Sequence, residues 1–203
     1  MDLASVNRKE IAQYLGIRSG EPDAVTAALI EDCLSELNEK ITPKHVFQIH
    51  PLTLAADKAG IDFTCFQTNS KNLYRNLEGC DEVLLFAATI GQGADFIIRR
   101  YEKTKMSRAA VCQAAAAAMI EAYCNALNDA WKREYEAKGR LLKPRFSCGY
   151  GDFALEHQRD FVRVLEMERR IGVHLNDALL MVPTKSVTAV IGIGDAPGKG
   201  NGS

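Results

Sequence analysis

The run SRAAVCQAAAAAMIEAYCNALNDAWKREYEA, residues 107–137, gives the strongest structural signal in the chain. Alanine has the highest intrinsic helix propensity, and its small side chain lets a neighbouring backbone approach closely. The run therefore predicts one long helix, which Lys138 and Gly139 end.

Shorter elements flank this helix on both sides. Before it, NLYRNLEGC (residues 72–80) predicts a short helix, EVLLFAAT (82–89) a buried strand, and IGQGADFIIRRYEK (90–103) a glycine turn that opens another helix. After it, LEHQRDFVRVLEMERRIG (155–172) predicts an amphipathic helix and SVTAVIGI (186–193) a final strand.

The first 70 residues contain both kinds of periodicity. NRKEIAQYLGI (residues 7–17) and EPDAVTAALIEDCLSELNEK (21–40) place apolar residues at helical spacing, which predicts two helices. HVFQIH (45–50) and IDFTCF (61–66) alternate apolar with polar residues, which predicts two half-buried strands.

Strands and helices follow one another irregularly, without a strict strand–helix alternation. This order predicts an α+β fold in which helices pack on a mostly antiparallel, twisted sheet. We expect a helical and strand segment, residues 1–70, to pack on a core formed by residues 71–194. The glycine-rich end, residues 195–203, cannot bury enough surface to order itself, so we expect a disordered tail.

The composition is that of a soluble globular protein of 203 residues, 47% apolar and 25% charged. A net charge of -1 gives no field to attract nucleic acid or an anionic membrane. No apolar run approaches the roughly 20 residues that a membrane-spanning helix needs. The polar N-terminus, MDLASVNRKEIAQYLG, lacks the apolar core of a signal peptide. We therefore expect a cytoplasmic protein that binds neither nucleic acid nor a membrane.

Metal-binding and nucleophilic patterns are weak. The six cysteines are spread singly without a C-x-x-C pair, and we expect most of them to be small core residues. His45 and His50 point to opposite faces of one predicted strand, which argues against shared metal ligation. Cys148 and His157 are a possible nucleophile and base, but no third group is evident to orient them. The sequence thus predicts no metal ligand and no catalytic residue.

The turn TIGQG, residues 89–93, follows the buried strand and opens a helix. It departs from the dinucleotide-binding fingerprint because Phe96 occupies the third glycine position, and no Lys-Ser pair completes a phosphate loop. A tight strand-to-helix turn is the favoured interpretation. Weak anion binding at the helix N-terminus is the alternative.

The segment PRFSCGYGDF, residues 144–153, combines an arginine, a glycine turn and a tyrosine. A guanidinium can hold a carboxylate through two parallel hydrogen bonds. Either Arg145 pairs with a structural acid, or Arg145, Ser147 and Tyr150 form a pocket in which Arg145 clamps the carboxylate of a small metabolite. Glu121, inside the long helix, either faces solvent or faces a ligand or Arg145.

Several short motifs occur in a fixed order along the second half of the chain. Arg145 precedes the pair Gly149-Tyr150; a helix follows, then Ile171-Gly172, then a P-x-x-SV strand at residues 183–187. Upstream, AATIGQGADFIIRRYE and AMIEAYCNAL stand in the same order. Over about residues 80–193 this pattern resembles the activation domain of cobalamin-dependent methionine synthase.

The resemblance implies a chemistry as well as a fold. In that family the domain binds S-adenosylmethionine and docks on a corrinoid module whose cobalt has reached the inactive cob(II)alamin state. A flavodoxin-like or other external reductant supplies one electron, and the cob(I)alamin formed takes the methyl group from the sulfonium. Such a transfer needs no general base, so the protein mainly positions the two partners.

The resemblance also implies a set of residues that bind S-adenosylmethionine. Carried over position by position, these are Glu121, Arg145, Ser147, Gly149 and Tyr150. The chain departs from the family at three points. A second acidic residue, six positions before the arginine, is Gly139 here; Cys148 replaces a usual proline; and the acidic residue near the start of the family's domain has no clear counterpart.

We therefore expect a small, free-standing accessory protein of the methyltransferase class, active in methionine biosynthesis. It would reactivate a corrinoid protein or a truncated methionine synthase in trans. One alternative is a non-catalytic module that binds or senses a corrinoid protein and no longer uses the methyl donor. A third interpretation is a methyltransferase that uses the same donor on a small substrate without any corrinoid.

Overall fold

The computed structural model describes residues 1–17 and 21–195, and in that part of the chain the main sheet has four antiparallel strands. Across the sheet these are β1 (Lys44–Pro51), β5 (Cys80–Thr89), β9 (Ser186–Asp195) and β6 (Arg140–Leu142). The predicted α+β fold with a mostly antiparallel sheet is confirmed. The tail predicted at the C-terminus lies, from residue 196 onward, outside the described residues.

Helices and short strands complete the described fold. The helices are α1 (Arg8–Tyr14), α2 (Ala24–Lys40), α3 (Lys71–Leu77), α4 (Gln92–Thr104), α5 (Met106–Ala137), α6 (Gln158–Leu165) and α7 (Met167–Ile171). The short strands are β2 (Thr53–Leu54), β3 (Gly60–Asp62) and β4 (Gln67–Asn69), which form one small sheet, and β7 (His174–Leu175) and β8 (Met181–Val182), which form another.

Strand β5 is buried on both faces. Leu84 and Phe86 face a core that they share with α1, α2, α4 and α5. Val83 and Leu85 face a second core, which contains residues of α3, α6 and α7. Successive side chains of a strand point to opposite faces, so a strand covered on both sides needs an unbroken apolar run. The prediction of a buried strand here is confirmed, and the sheet is the middle of three layers.

Helix α5 is the long helix that the alanine-rich run predicts. Its length and composition alone would allow it to cross a membrane, yet 56% of its most apolar window is buried inside the fold. Ala115, Ala116 and Ala118 are almost completely buried, in the core that α5 shares with α2, α4 and the sheet. The apolar character of α5 is that of a core helix.

The prediction of a single strand over residues 61–66 is wrong beyond Asp62. Strand β3 ends there, Thr64 adopts a φ of +66°, and β4 begins at Gln67. The Asp62 carboxylate accepts a hydrogen bond from the Thr64 N–H at 2.6 Å, and the Phe63 N–H donates to the Phe66 carbonyl at 3.0 Å. This local turn competes with extension of the strand, and β3 pairs with β4 as a hairpin instead.

The single amphipathic helix predicted over residues 155–172 is broken. A short 3-10 turn precedes α6, and Glu166, with a φ of +50°, separates α6 from α7. Leu165 and Met167 are both fully buried. Residues two apart point in different directions on a straight helix, so the break lets both side chains enter the same core.

The TIGQG turn is the tight strand-to-helix connection that the sequence favours. Gly91 precedes α4 with a φ of +82°, and its N–H donates to the Thr89 hydroxyl at 3.0 Å. A Cβ placed on Gly93 would lie 2.0 Å from the Lys40 carbonyl oxygen. The end of α2 and the start of α4 are therefore in direct backbone contact, with no side chain between them.

The segment around residues 144–153 is attached to two other elements. Phe146 and Val190 exchange two backbone hydrogen bonds, of 2.9 and 2.8 Å, which fix the segment to β9. The Asp152 carboxylate accepts a hydrogen bond from the Ser70 hydroxyl and one from the Lys71 N–H at 2.8 Å. It thereby caps the N-terminus of α3 from a distant part of the chain.

We expect Gly93→Ala to destabilise the protein by about 1–3 kcal/mol, the usual cost of overpacking. Glycine-to-alanine changes inside helices ordinarily stabilise by up to about 1 kcal/mol, so the sign of the effect is diagnostic. The added methyl group would meet the Lys40 backbone, which cannot move aside as a flexible side chain can. Urea unfolding followed by circular dichroism measures the change. Gln92→Ala, on the exposed neighbour, is the control; a stabilised Gly93→Ala protein would contradict the contact.

Acid is expected to remove the contribution of Asp152. Hydrogen bonds, first from Ser70 and then from the α3 backbone, hold the pKa of Asp152 below its ordinary value. A depressed carboxylate pKa in the folded state stabilises the fold above about pH 4 and loses that effect as the pH falls below about 4. Asp152→Asn should therefore lower the melting temperature at pH 7 and much less at pH 3. Asp177→Asn, at an exposed position, is the control; an equal loss at both pH values would refute the cap.

Candidate functional site

Four of the five predicted ligand residues lie around one cleft of about 400 Å³ between α5, β9 and the 144–153 segment. The cleft is lined by Glu121, Arg145, Phe146, Ser147, Tyr150 and Val187. Residues that are 24 or more positions apart in sequence thus meet at one site, because the Phe146–Val190 bridge brings the segment beside α5.

An ion pair forms the floor of the cleft. The Arg145 Nη2 lies 3.2 Å from the Glu121 Oε2 and donates a 2.8 Å hydrogen bond to the Asn125 Oδ1. Glu121 and Asn125 are four residues apart on α5 and so share one helix face. The side chains of Arg145 and Glu121 are only 23% and 36% exposed. Glu121 therefore faces Arg145 and not open solvent, and Arg145 already has an acidic partner within the site.

Tyr150 stands at the mouth of the cleft, with 70% of its surface exposed. Its backbone is held on both sides: the Tyr150 N–H donates to the Ser147 carbonyl at 3.2 Å, and the Phe153 N–H donates to the Tyr150 carbonyl at 3.0 Å. Tyr150 therefore does not pack in the core, because its ring is open to solvent.

Gly149 makes the turn that presents Tyr150. It has a φ of +87°, which favours glycine, and its N–H donates to the Phe153 carbonyl at 2.8 Å. Gly149 itself does not line the cleft. Its predicted contact with a ligand stays a prediction, whereas its part in shaping the loop is visible.

Sequence reasoning missed Phe146 and Val187, which line the cleft, and two residues that lie beside its lining residues, Asn125 and Tyr14. Asn125 could have been found, since it follows Glu121 by one helical turn. Tyr14, at the end of α1, gave no such signal. Its hydroxyl donates to the Glu10 carboxylate at 2.8 Å, and this bond, together with burial and the nearby Glu121 and Tyr150, raises the pKa of Tyr14 to about 12. The N-terminal helix therefore reaches the edge of the cleft.

The hypothesis of a nucleophilic cysteine gains no support. Cys148 is buried, and this burial raises its pKa to about 12, so it is protonated at neutral pH. His157 bonds Asp160 at 2.9 Å and stacks on Phe66 and Phe153. Within residues 1–17 and 21–195, no group of three His, Cys, Asp or Glu side chains is arranged to hold a metal ion. Four cysteines are buried and two half-buried: Cys33, Cys112, Cys124 and Cys148, then Cys65 and Cys80.

The departure from the family at Gly139 does not change the cleft. Gly139 follows the last turn of α5. The helix between Glu121 and Ala137 spans roughly 24 Å, so Gly139 lies at the far end from the ion pair. The acidic residue that the family has at this point would not have lined the cleft in this chain.

A larger cleft, of about 630 Å³, lies elsewhere, at the start of α4. Lys40, Lys44 and Arg100 line it together with the TIGQG turn. All three cations are exposed, and Arg100 pairs with Glu36. Weak anion binding at this turn stays a prediction. Its larger volume alone does not make this cleft the better candidate for the functional site, because its three cations are exposed to solvent.

Comparison with known proteins agrees with the geometry. A sequence profile described as "Vitamin B12 dependent methionine synthase, activation domain" matches residues 73–196. None of the curated proteins matches the chain. Among solved structures, the "Crystal Structure of the MetH Reactivation Domain bound to AdoHcy" is similar, with a TM-score of 0.66 and 16% identity. The match covers 97% of this chain and 76% of that chain, and at this identity it shows a shared fold. Because the profile matches more than half of the sequence, the chain belongs to the activation domain family of vitamin B12-dependent methionine synthase.

Proposed function

We propose that this protein reactivates a corrinoid methyltransferase in trans, binding S-adenosylmethionine as the methyl donor. One observation carries the proposal: in a chain of the activation domain family, Glu121, Arg145, Ser147 and Tyr150 surround a single cleft. A reactivation domain of the same fold was solved with AdoHcy, which is what S-adenosylmethionine becomes when it loses its methyl group. That likeness supports the choice of ligand.

The residues of the cleft fit this ligand. Its volume of about 400 Å³ lies within the usual range for small-molecule sites. The Glu121 carboxylate offers opposite charge to a cationic ligand, and the exposed Tyr150 ring offers a π face to a sulfonium. Arg145 has N–H groups beyond those that bond Glu121 and Asn125, and these are free to meet a ligand's polar atoms.

The role of this chain is to bind the methyl donor and to orient it toward the partner's corrinoid, because both reactants are already activated. When bound, S-adenosylmethionine supplies the methyl group, and the partner's corrinoid, reduced by one electron from a flavodoxin-like or other reductant, supplies the nucleophile that accepts it as S-adenosylhomocysteine leaves. Positioning alone can contribute much of the rate of such a transfer. We therefore assign no catalytic residue and describe the chain as an accessory subunit of the methyltransferase class in methionine biosynthesis.

The open side of the cleft indicates where the partner would dock. Tyr150 is exposed at the mouth, whereas the ion pair beneath it is half-buried. A bound sulfonium must turn its methyl group toward this mouth to meet a corrinoid on another protein. We propose residues 71–194 as the core that binds the methyl donor and residues 1–70 as a segment packed on it, the latter through β1 on β5 and α2 on α5.

Arg145→Ala is expected to weaken S-adenosylmethionine binding roughly 10- to 100-fold, since it removes charge-assisted contacts and leaves Glu121 unpaired. Isothermal titration calorimetry measures the affinity, and thermal unfolding checks that the variant folds. Arg133→Ala removes an exposed arginine from α5 and serves as the matched control. Equal affinity in Arg145→Ala and wild-type protein would rule out this cleft as the site.

Transfer of labelled methyl separates this function from its alternatives. The wild-type protein, a cob(II)alamin-loaded partner, a reductant and methyl-labelled S-adenosylmethionine should together place label on cobalt. Docking on the partner without transfer of label would favour the non-catalytic module. Label on a small substrate in the absence of any corrinoid would favour the third interpretation.

A further inference from the structure

A groove of about 460 Å³ lies beside the cleft, between α1, α5 and the residue that precedes β9. The described residues that line it are mostly small or apolar and include one cation. The lining residues are Tyr14, Leu15, Ala110, Gln113, Ala114, Ala117 and Lys185.

The groove continues the cleft along the same two elements. Ala117 precedes Glu121 by one turn of α5, so the two share a helix face. Lys185 precedes Val187 by two residues and points to the same face of the strand. Tyr14 lines the groove and is also close enough to Glu121 and Tyr150 for both to affect its pKa. Cleft and groove therefore adjoin near the end of α1, and we call the two together the trough.

Lys185 is a buried cation for which the described residues provide no ion-pair partner. Its side chain lines the groove, yet the residue is only 9% exposed. Among residues 1–17 and 21–195, no carboxylate lies within 4.0 Å of its ammonium group. Asp95 acts on it electrostatically, but the Asp95 oxygens already accept hydrogen bonds from the Thr184 N–H at 3.0 Å and from the Thr184 hydroxyl.

Burial of this ammonium group has a cost that an anionic ligand would offset. Desolvation lowers the pKa of Lys185. The other acids around the trough are engaged, since Glu10 accepts from Tyr14 and Glu121 pairs with Arg145. A desolvated cation gains more from a new counter-charge than one that is already paired.

We infer that Lys185 binds the carboxylate of the ligand's amino-acid portion, at the far end of a site that runs from Tyr150 to the groove under Tyr14. This inference rests on the proposed function and locates one end of the same ligand. It moves the carboxylate from Arg145, where the sequence placed it, to Lys185. Arg145 then positions Glu121 for the cationic part of the ligand, and the alanines of α5 line the path of its methylene groups.

The test compares two ligands on three proteins. S-adenosylmethionine and its decarboxylated analogue differ only in the carboxylate, so the ratio of their affinities reports on the group that binds it. Calorimetry should give a wild-type preference for S-adenosylmethionine on the order of 10- to 100-fold, the effect of one charge-assisted contact. Lys185→Met, which keeps the apolar stem, should bind both ligands alike. Arg145→Ala should weaken both by similar factors and keep the preference.

Two further variants make the result decisive. Lys185→Arg keeps a cation in the groove and should restore most of the preference. Lys103→Met removes an exposed lysine from the end of α4 and should leave both affinities unchanged. Thermal unfolding of each variant checks that it folds.

The possible failures are distinguishable. If Lys185→Met keeps the wild-type preference, or if Arg145→Ala abolishes it, the assignment to Lys185 is wrong although the proposed function stands. If wild-type protein binds neither ligand, even with its corrinoid partner present, the proposed function fails and the inference fails with it.

Discussion

Coverage of β5 on both faces is the constraint on which the rest of the structure depends. A strand whose alternate residues enter two separate cores must be apolar along its length, and helices must pack on both of its faces. On one side the helix is α5, whose alanines allow it to lie close to the strands. That close approach sets Glu121 level with Val187 of β9, so the width of the cleft follows from the size of the residues that pack the core.

The site itself is held by attachments to three separate elements. Phe146 bonds to β9, Asp152 caps α3, and Arg145 reaches α5 through Glu121 and Asn125. A loop held at three points presents its polar groups in one geometry, which reduces the entropy that a ligand must remove on binding. The glycine turn at Gly149 then projects Tyr150 outward; under the proposed function, the held part of the loop would face the ligand and Tyr150 would face the partner.

Periodicity was sufficient to predict the long elements, but it did not decide between the alternatives for Glu121 and Arg145. The alanine-rich run, the buried strand and the motif beginning at Arg145 were all visible, and the pairing of Glu121 with Arg145 was one of two open readings. The hairpin at Thr64 and the break at Glu166 could not be predicted from the sequence. One residue with a left-handed backbone conformation leaves the spacing of the apolar residues around it unchanged. The burial of Lys185 could not be predicted for another reason. In the sequence it is a polar residue before a strand, and it becomes buried only because α1 and α5 pack over it.

Helix α1 lies before residue 73, where the match to the family begins, yet its last turn covers one end of the trough. Strands β5 and β9 and helix α5 lie within the matched residues, whereas this cover does not. On the proposed placement of the ligand, changes at Tyr14 and Leu15 would alter the space for the ligand's tail and leave the pairing of β5 with β9 intact. Ile11 of the same helix is fully buried in the core, so one short segment would serve both the fit of that tail and the stability of the fold beneath it.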